Sequence, residues 1–102
     1  MIEEHLTVAN EAGFHVRPAT LICKAAMRYQ SNITLRKGSE EADCKSCLDL
    51  LALMAPLGTE LVLRADGEDE KQAFDAIREL FDKKFYEDEF ASEDANATAS
   101  AE

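Results

Sequence analysis

Two short clusters hold the side chains in this sequence that could do chemistry. The first is "AGFHVRPAT", residues 12–20, where His15 stands two residues after Gly13, two before Arg17 and three before Pro18. An imidazole is a nucleophile and proton carrier near neutral pH. A guanidinium is the side chain best shaped to hold a carboxylate or phosphate. The second cluster is "CKSC", with Cys44 and Cys47 flanking Ser46. Cys-x-x-Cys spacing suits a redox pair or two metal ligands. A serine just before an apolar run suits a helix cap.

The elements that must position these groups follow from periodicity. Residues 3–9 alternate, Leu6 and Val8 against His5 and Thr7, which predicts a half-buried strand with His5 on the surface. After the break at "NEAG", Ala19, Ile22, Cys23 and Ala26 recur at helical spacing, predicting a helix from Val16 to about Tyr29 with Cys23 buried. "NITLRKGSEEADC" reads as a hairpin turning at Gly38, and a short two-turn helix follows Ser46 and ends before Pro56. "TELVLRA" is the clearest strand; Asp66-Gly67 turns the chain, and Asp69 is placed to cap a third helix through Ala73, Ile77, Leu80 and Phe81. The order β-α-β-β-α-β-α, with strands in meander-like connection, implies an α+β open-faced sandwich: a mostly antiparallel sheet with helices on one face.

If the first helix begins near Val16, His15 lies against its free N–H groups. Pro18 fits the first turn, where a missing N–H costs nothing, and Gly13 lets the preceding loop bend. The free amides and Arg17 then form a site for a dianion. A neutral imidazole nitrogen beside such a site is what a phosphoryl acceptor needs, because phosphoryl transfer depends on positioning and charge stabilisation. These residues alone leave a second reading open, in which His15 is simply a loop histidine beside a helix cap.

"GFHVRPA" resembles the active-site motif, Gly-x-His-x-Arg-Pro-Ala, of the HPr family, histidine-containing phosphocarriers of the bacterial phosphotransferase system. "KSCLDLL" resembles the family's motif around a regulatory serine, and "LGTELVLRADGEDEKQAFDAIRELF" its last strand and helix. The resemblance spans about residues 1–85 and implies a four-stranded antiparallel sheet under three helices. It implies that His15 takes a phosphoryl group on Nδ1 from phosphorylated Enzyme I and gives it to an EIIA domain of a sugar permease or regulatory system. Arg17 would stabilise the phosphorylated ring, and Ser46 would be the target of an HPr kinase/phosphorylase. No cofactor or metal is implied, and the carrier is expected to be a monomer that is not itself an enzyme.

A second face of the first helix holds Val16, Thr20, Lys24 and Met27, with Arg17, Leu21 and Arg28 nearby. Cys47, Leu48 and Leu51 could join it, although Leu51 equally suits core packing. In the family, this apolar patch and its basic rim, with Pro18, are where partners dock, and the form suits a transient interface. Asp49 stands where the family usually has glycine or a basic residue, Met27 where lysine is frequent, and Cys47 where a larger apolar residue is common. The docking face is thereby less basic, and nitrogen-branch or purely regulatory relatives stay in view.

Composition narrows the remaining classes. The 102 residues suit one domain, with 46% hydrophobic residues for a modest core. Net charge is −10, yet residues 86–102 hold six acids and no base, leaving 15 acids and 11 bases before them. The last 17 residues read as an acidic, disordered tail after a 1–85 domain. The body shows no basic stripe for nucleic acid. The opening is not a secretory pattern and the longest apolar run is too short for a bilayer, so a cytoplasmic protein without membrane insertion is expected. A thiol redox protein built on "CKSC" is the rival from another class. Against it, no parallel strand–helix–strand unit surrounds the pair, and for zinc a second ligand pair is missing.

Overall fold

The computed structural model describes residues 1–86. Its elements are β1 (Ile2–Thr7), α1 (Val16–Ala26), β2 (Asn32–Lys37), β3 (Glu40–Asp43), α2 (Cys47–Ala52), β4 (Glu60–Asp66) and α3 (Glu70–Asp82), followed by a 3-10 turn at Lys84–Tyr86. The four strands form one antiparallel sheet in the order β1-β4-β2-β3. The helices cover one face, so the open-faced sandwich expected from the sequence is the fold observed. The tail assigned to residues 86–102 lies, from residue 87 on, outside the described residues.

The connections are not those of a meander. Only β2 and β3 are joined as a hairpin, closed by the pair Lys37↔Glu40 around Gly38-Ser39. The last strand, β4, inserts between β1 and β2, pairing Leu61 with Leu6 on one side and Leu63 with Leu35 on the other. Its position follows from its pattern. Leu61, Leu63 and Ala65 are fully buried, the residues between them are not, and a strand flanked on both sides is shielded best.

The core is the helix-facing side of the sheet. Ala19, Ile22 and Ala26 of α1, Leu50 of α2, and Ala73, Phe74 and Ile77 of α3 meet Ile33, Leu35, Leu61 and Leu63, all at most 2% exposed. Small residues on α1 let that helix lie close to the sheet.

Two local expectations change. First, α1 ends at Ala26 rather than near Tyr29. Its last turn tightens, with Arg28 N–H donating to the Ala25 carbonyl (3.2 Å) and Tyr29 N–H to that of Ala26 (3.1 Å). Second, Asp69 occupies the cap position of α3 but its carboxylate makes no capping bond there. It instead accepts the N–H groups of Gln30 and Ser31, each at 2.9 Å, and the Ser31 hydroxyl. The turn that stops α1 is thus held from 38 residues away in sequence. These donors hold the Asp69 carboxyl below the usual carboxylate range, the Ser31 hydroxyl most of all.

Candidate functional site

The loop carrying His15 is built mostly from backbone. Val8 N–H donates to the Thr59 carbonyl at 2.9 Å and Gly58 N–H to that of Val8 at 2.8 Å, tying the segment after β1 to the segment before β4. Asn10, only 1% exposed, donates its side-chain amide to the Gly13 carbonyl at 2.7 Å, while Gly13 N–H returns a bond to the Asn10 carbonyl at 3.1 Å. Phe14 N–H then reaches the Ala55 carbonyl at 2.8 Å. Gly13 has φ +68°, and a Cβ there would stand 2.8 Å from the Pro56 Cα. Only glycine meets both demands.

Phe14 fixes the other side of the loop. Its ring lies 6.1 Å from Phe81 and edge-on to Phe85 at 5.8 Å. Phe85 is directed inward by left-handed backbone at Lys84 and Phe85, φ 51° and 55°. An aromatic cluster of this kind adds about 0.5–1.5 kcal/mol per pair beyond burial. Asn10, Phe14 and Phe85 position the site, a role the sequence reading did not give them; Phe85 was expected only among the apolar residues of the third helix. The Asn-x-x-Gly spacing, a turn signal, was the available clue to Asn10.

Held on both sides, His15 is the N-cap of α1, in extended conformation (φ −148°, ψ −166°), and its ring is exposed. Its Nδ1 accepts the Arg17 amide at 3.4 Å. An accepting Nδ1 carries the lone pair, which in the neutral ring puts the proton on Nε2. The contact is long, so the lone pair is held toward the helix end without being consumed. His15 lines a shallow cleft of about 430 Å³ with Val16, Arg17, Thr20, Leu21 and Lys24. A nucleophilic nitrogen, the N-terminal end of α1 and the cations Arg17 and Lys24 therefore converge on one open surface.

The motif and the cleft match a known pattern. The family model described as "PTS HPr component phosphorylation site" matches residues 2–83. The chain belongs to the HPr family. It is similar to the phosphocarrier protein HPr of Xylella fastidiosa (strain Temecula1), 40% identical over 88 residues, covering 86% of this chain and 99% of that protein. It is similar also to the phosphocarrier protein NPr of Shewanella violacea, 36% identical over 84% of this chain and 94% of the relative. The crystal structure of an HPr from Thermoanaerobacter tengcongensis superposes with a TM-score of 0.80 at 32% identity, covering 83% of this chain and 96% of that one. HPr proteins are phosphocarriers of the phosphotransferase system, and membership establishes that general role here.

The HPr docking face expected from the sequence is only partly assembled on the surface. Val16, Met27 and Leu48 are 64%, 66% and 80% exposed, and Lys24 is exposed beside them. Thr20 touches Cys47, Oγ1 to Sγ 3.9 Å, joining α1 to α2, while its hydroxyl donates to the Val16 carbonyl. Leu21, Cys47 and Leu51 are half-buried against the core. Pro18 is buried, which removes it from the docking surface: at the third helical position its ring turns inward.

Ser46 is the N-cap of α2, its Oγ accepting the Asp49 N–H at 3.2 Å, as its position before the apolar run implies. The Asp49 carboxylate in turn accepts the Asp43 N–H at 3.4 Å, and the Asp43 carboxylate accepts the N–H of Lys45, the residue before Ser46, at 2.9 Å. The redox reading of "CKSC" loses its basis. Cys44 is fully buried, and desolvation first, then the Asp43 charge, push its thiol far above the usual range, the opposite of an activated thiol. Cys23, Cys44 and Cys47 are all free thiols, and among the described residues no group of three or more potential ligands could hold a metal. Cys23, expected in the core, is half-buried and donates to the Lys45 carbonyl at 3.5 Å. No helix of the described residues is long and apolar enough to cross a membrane.

Proposed function

We propose that His15 is the phosphoryl acceptor of this carrier, charged by phosphorylated Enzyme I and discharged onto EIIA domains in sugar uptake. The observation that carries this is the exposed Nδ1 at the start of α1, its lone pair turned to the Arg17 amide within a cleft that also holds Arg17 and Lys24. Attack is in line: the Nδ1 lone pair forms the new N–P bond as the bond to the donor's histidine breaks, and the donor nitrogen leaves with that electron pair. The first-turn amides and Arg17 then neutralise the phosphoryl oxygens. Among the described residues, those lining the cleft with His15 include no carboxylate to activate water, which suits a phosphoryl group that must survive until a partner takes it. Val16, Thr20, Leu21, Lys24, Met27, Cys47 and Leu48 form the partner-docking face, with Leu51 supporting it from below. Ser46 is the proposed regulatory position, where a phosphate would meet Asp43 and Asp49 and add negative charge to the docking face.

The test is incubation with phosphoenolpyruvate and Enzyme I. The expected product is one acid-labile phosphate on the chain, absent in His15→Ala. A His15→Ala chain that still accepts phosphate rules the assignment out. The similarity to an NPr supports nitrogen-branch use as a second reading. Rates of transfer from the phosphorylated chain to sugar-type and nitrogen-type EIIA domains decide between the two.

A further inference from the structure

Charge is segregated along this chain. Residues 12–39 contain Arg17, Lys24, Arg28, Arg36 and Lys37 and no acid, whereas residues 87–102 contain six acids and no base. The first stretch includes all of α1, whose solvent side carries exposed Val16 and Lys24, with exposed Met27 and Arg28 just past its end. The second stretch follows in sequence the 3-10 turn at Lys84–Tyr86, which packs against α1. Phe85 packs edge-on against Phe14, the residue before His15, so residue 87 follows by two residues an anchor packed beside the start of the His15 segment.

We propose that residues 87–102 bind the cleft beside His15 as an intramolecular ligand that competes with docking partners. Phe90 is the only large apolar side chain in that stretch, and Glu87, Asp88, Glu89, Glu93 and Asp94 surround it. An apolar residue among acids is the complement of an apolar cleft rimmed by cations. The reach is sufficient. Phe90 lies five residues beyond Phe85, about 17 Å of extended chain at 3.3–3.6 Å per residue. The cleft runs from His15 to Lys24, roughly 14 Å along α1 at 1.5 Å per residue. A short tether gives an effective concentration on the order of millimolar, so even a millimolar contact is filled about half the time and lowers apparent partner affinity about twofold.

The contact itself is independent of the phosphoryl assignment; the competition rests on it. Two full-length chains test the contact by amide NMR: the natural one and one carrying Glu87→Gln, Asp88→Asn, Glu89→Gln, Glu93→Gln and Asp94→Asn. Their amide shifts are expected to differ at Val16, Arg17, Lys24 and Met27 at low ionic strength, and to converge in about 0.5 M salt, where screening is within a few ångströms. Phe90→Ala should produce part of the same change. Coincident spectra, or differences confined to the bare face of the sheet, overturn the proposal. In parallel, the initial rate of phosphorylation by Enzyme I should rise about twofold in the neutralised chain. A rise without shift differences at α1 reflects general repulsion and also overturns it. Absence of phosphohistidine in both chains removes the carrier assignment while the amide shifts still decide the contact.

Discussion

Replacing Gly13 with alanine measures how the active loop is held. Gly13 has φ +68°, and the added Cβ would lie 2.8 Å from the Pro56 Cα and 2.9 Å from the Ala55 oxygen. The left-handed backbone alone costs about 1–2 kcal/mol for a residue with a Cβ. Both clashing atoms are backbone, so relief requires the two segments to part. Parting them weakens the Phe14–Ala55 hydrogen bond, worth about 1 kcal/mol net. The expected loss is therefore about 2–4 kcal/mol, or a melting temperature lower by about 10–25 °C for a domain of this size. Gly38→Ala is the internal control, since its φ is +60° and no atom beyond its own and the adjacent residues lies within 4 Å of its added Cβ. It should cost only the backbone part, about 1–2 kcal/mol. Urea unfolding of both variants gives the difference. Equal losses within about 0.5 kcal/mol would show that the contact with the segment before β4 does not constrain the loop. In the folded fraction of Gly13→Ala, phosphorylation of His15 should slow at least about tenfold, because small displacements of a nucleophile are costly in rate.

Two further outcomes follow from the packing. The Asp69 carboxyl titrates below its unfolded value near 3.9, so its contribution to stability is complete above that pH and is lost as pH falls through the lower folded value. Asp69→Asn should flatten the acid limb of the stability curve between about pH 5 and 2, and an unchanged limb would place the acid sensitivity elsewhere. Among the thiols, Cys47 should react with iodoacetamide in the folded chain at neutral pH, whereas fully buried Cys44 should react only after denaturation. Labelling of native Cys44 at the rate of Cys47 would contradict its burial.

Much of the site was legible because its signals are local. A histidine before a helix start, a proline in the first turn and a serine just before an apolar run each depend on a few bonded neighbours. All three sit where their spacing puts them: His15 and Ser46 as N-caps, Pro18 in the first turn of α1. The misreadings have the opposite character. Asp69 was assigned to its own helix because capping is the local use of such a residue, yet Gln30 and Ser31 offered better-placed amides across the fold. Pro18 belonged to the right motif but the rotation of α1 buries it.

The sequence by itself determined the element order, the faces of the strands and helices, and the motif that places His15 at the start of α1. Periodicity and capping act within a turn or two of chain, and a motif is a local object. Tertiary structure alone decided that β4 runs between β1 and β2, that Gly13 is crowded by Ala55 and Pro56, and that Phe85 braces the residue before His15. Each of these joins segments more than 25 residues apart, where the outcome depends on which apolar faces and free amides meet once the chain has closed on itself.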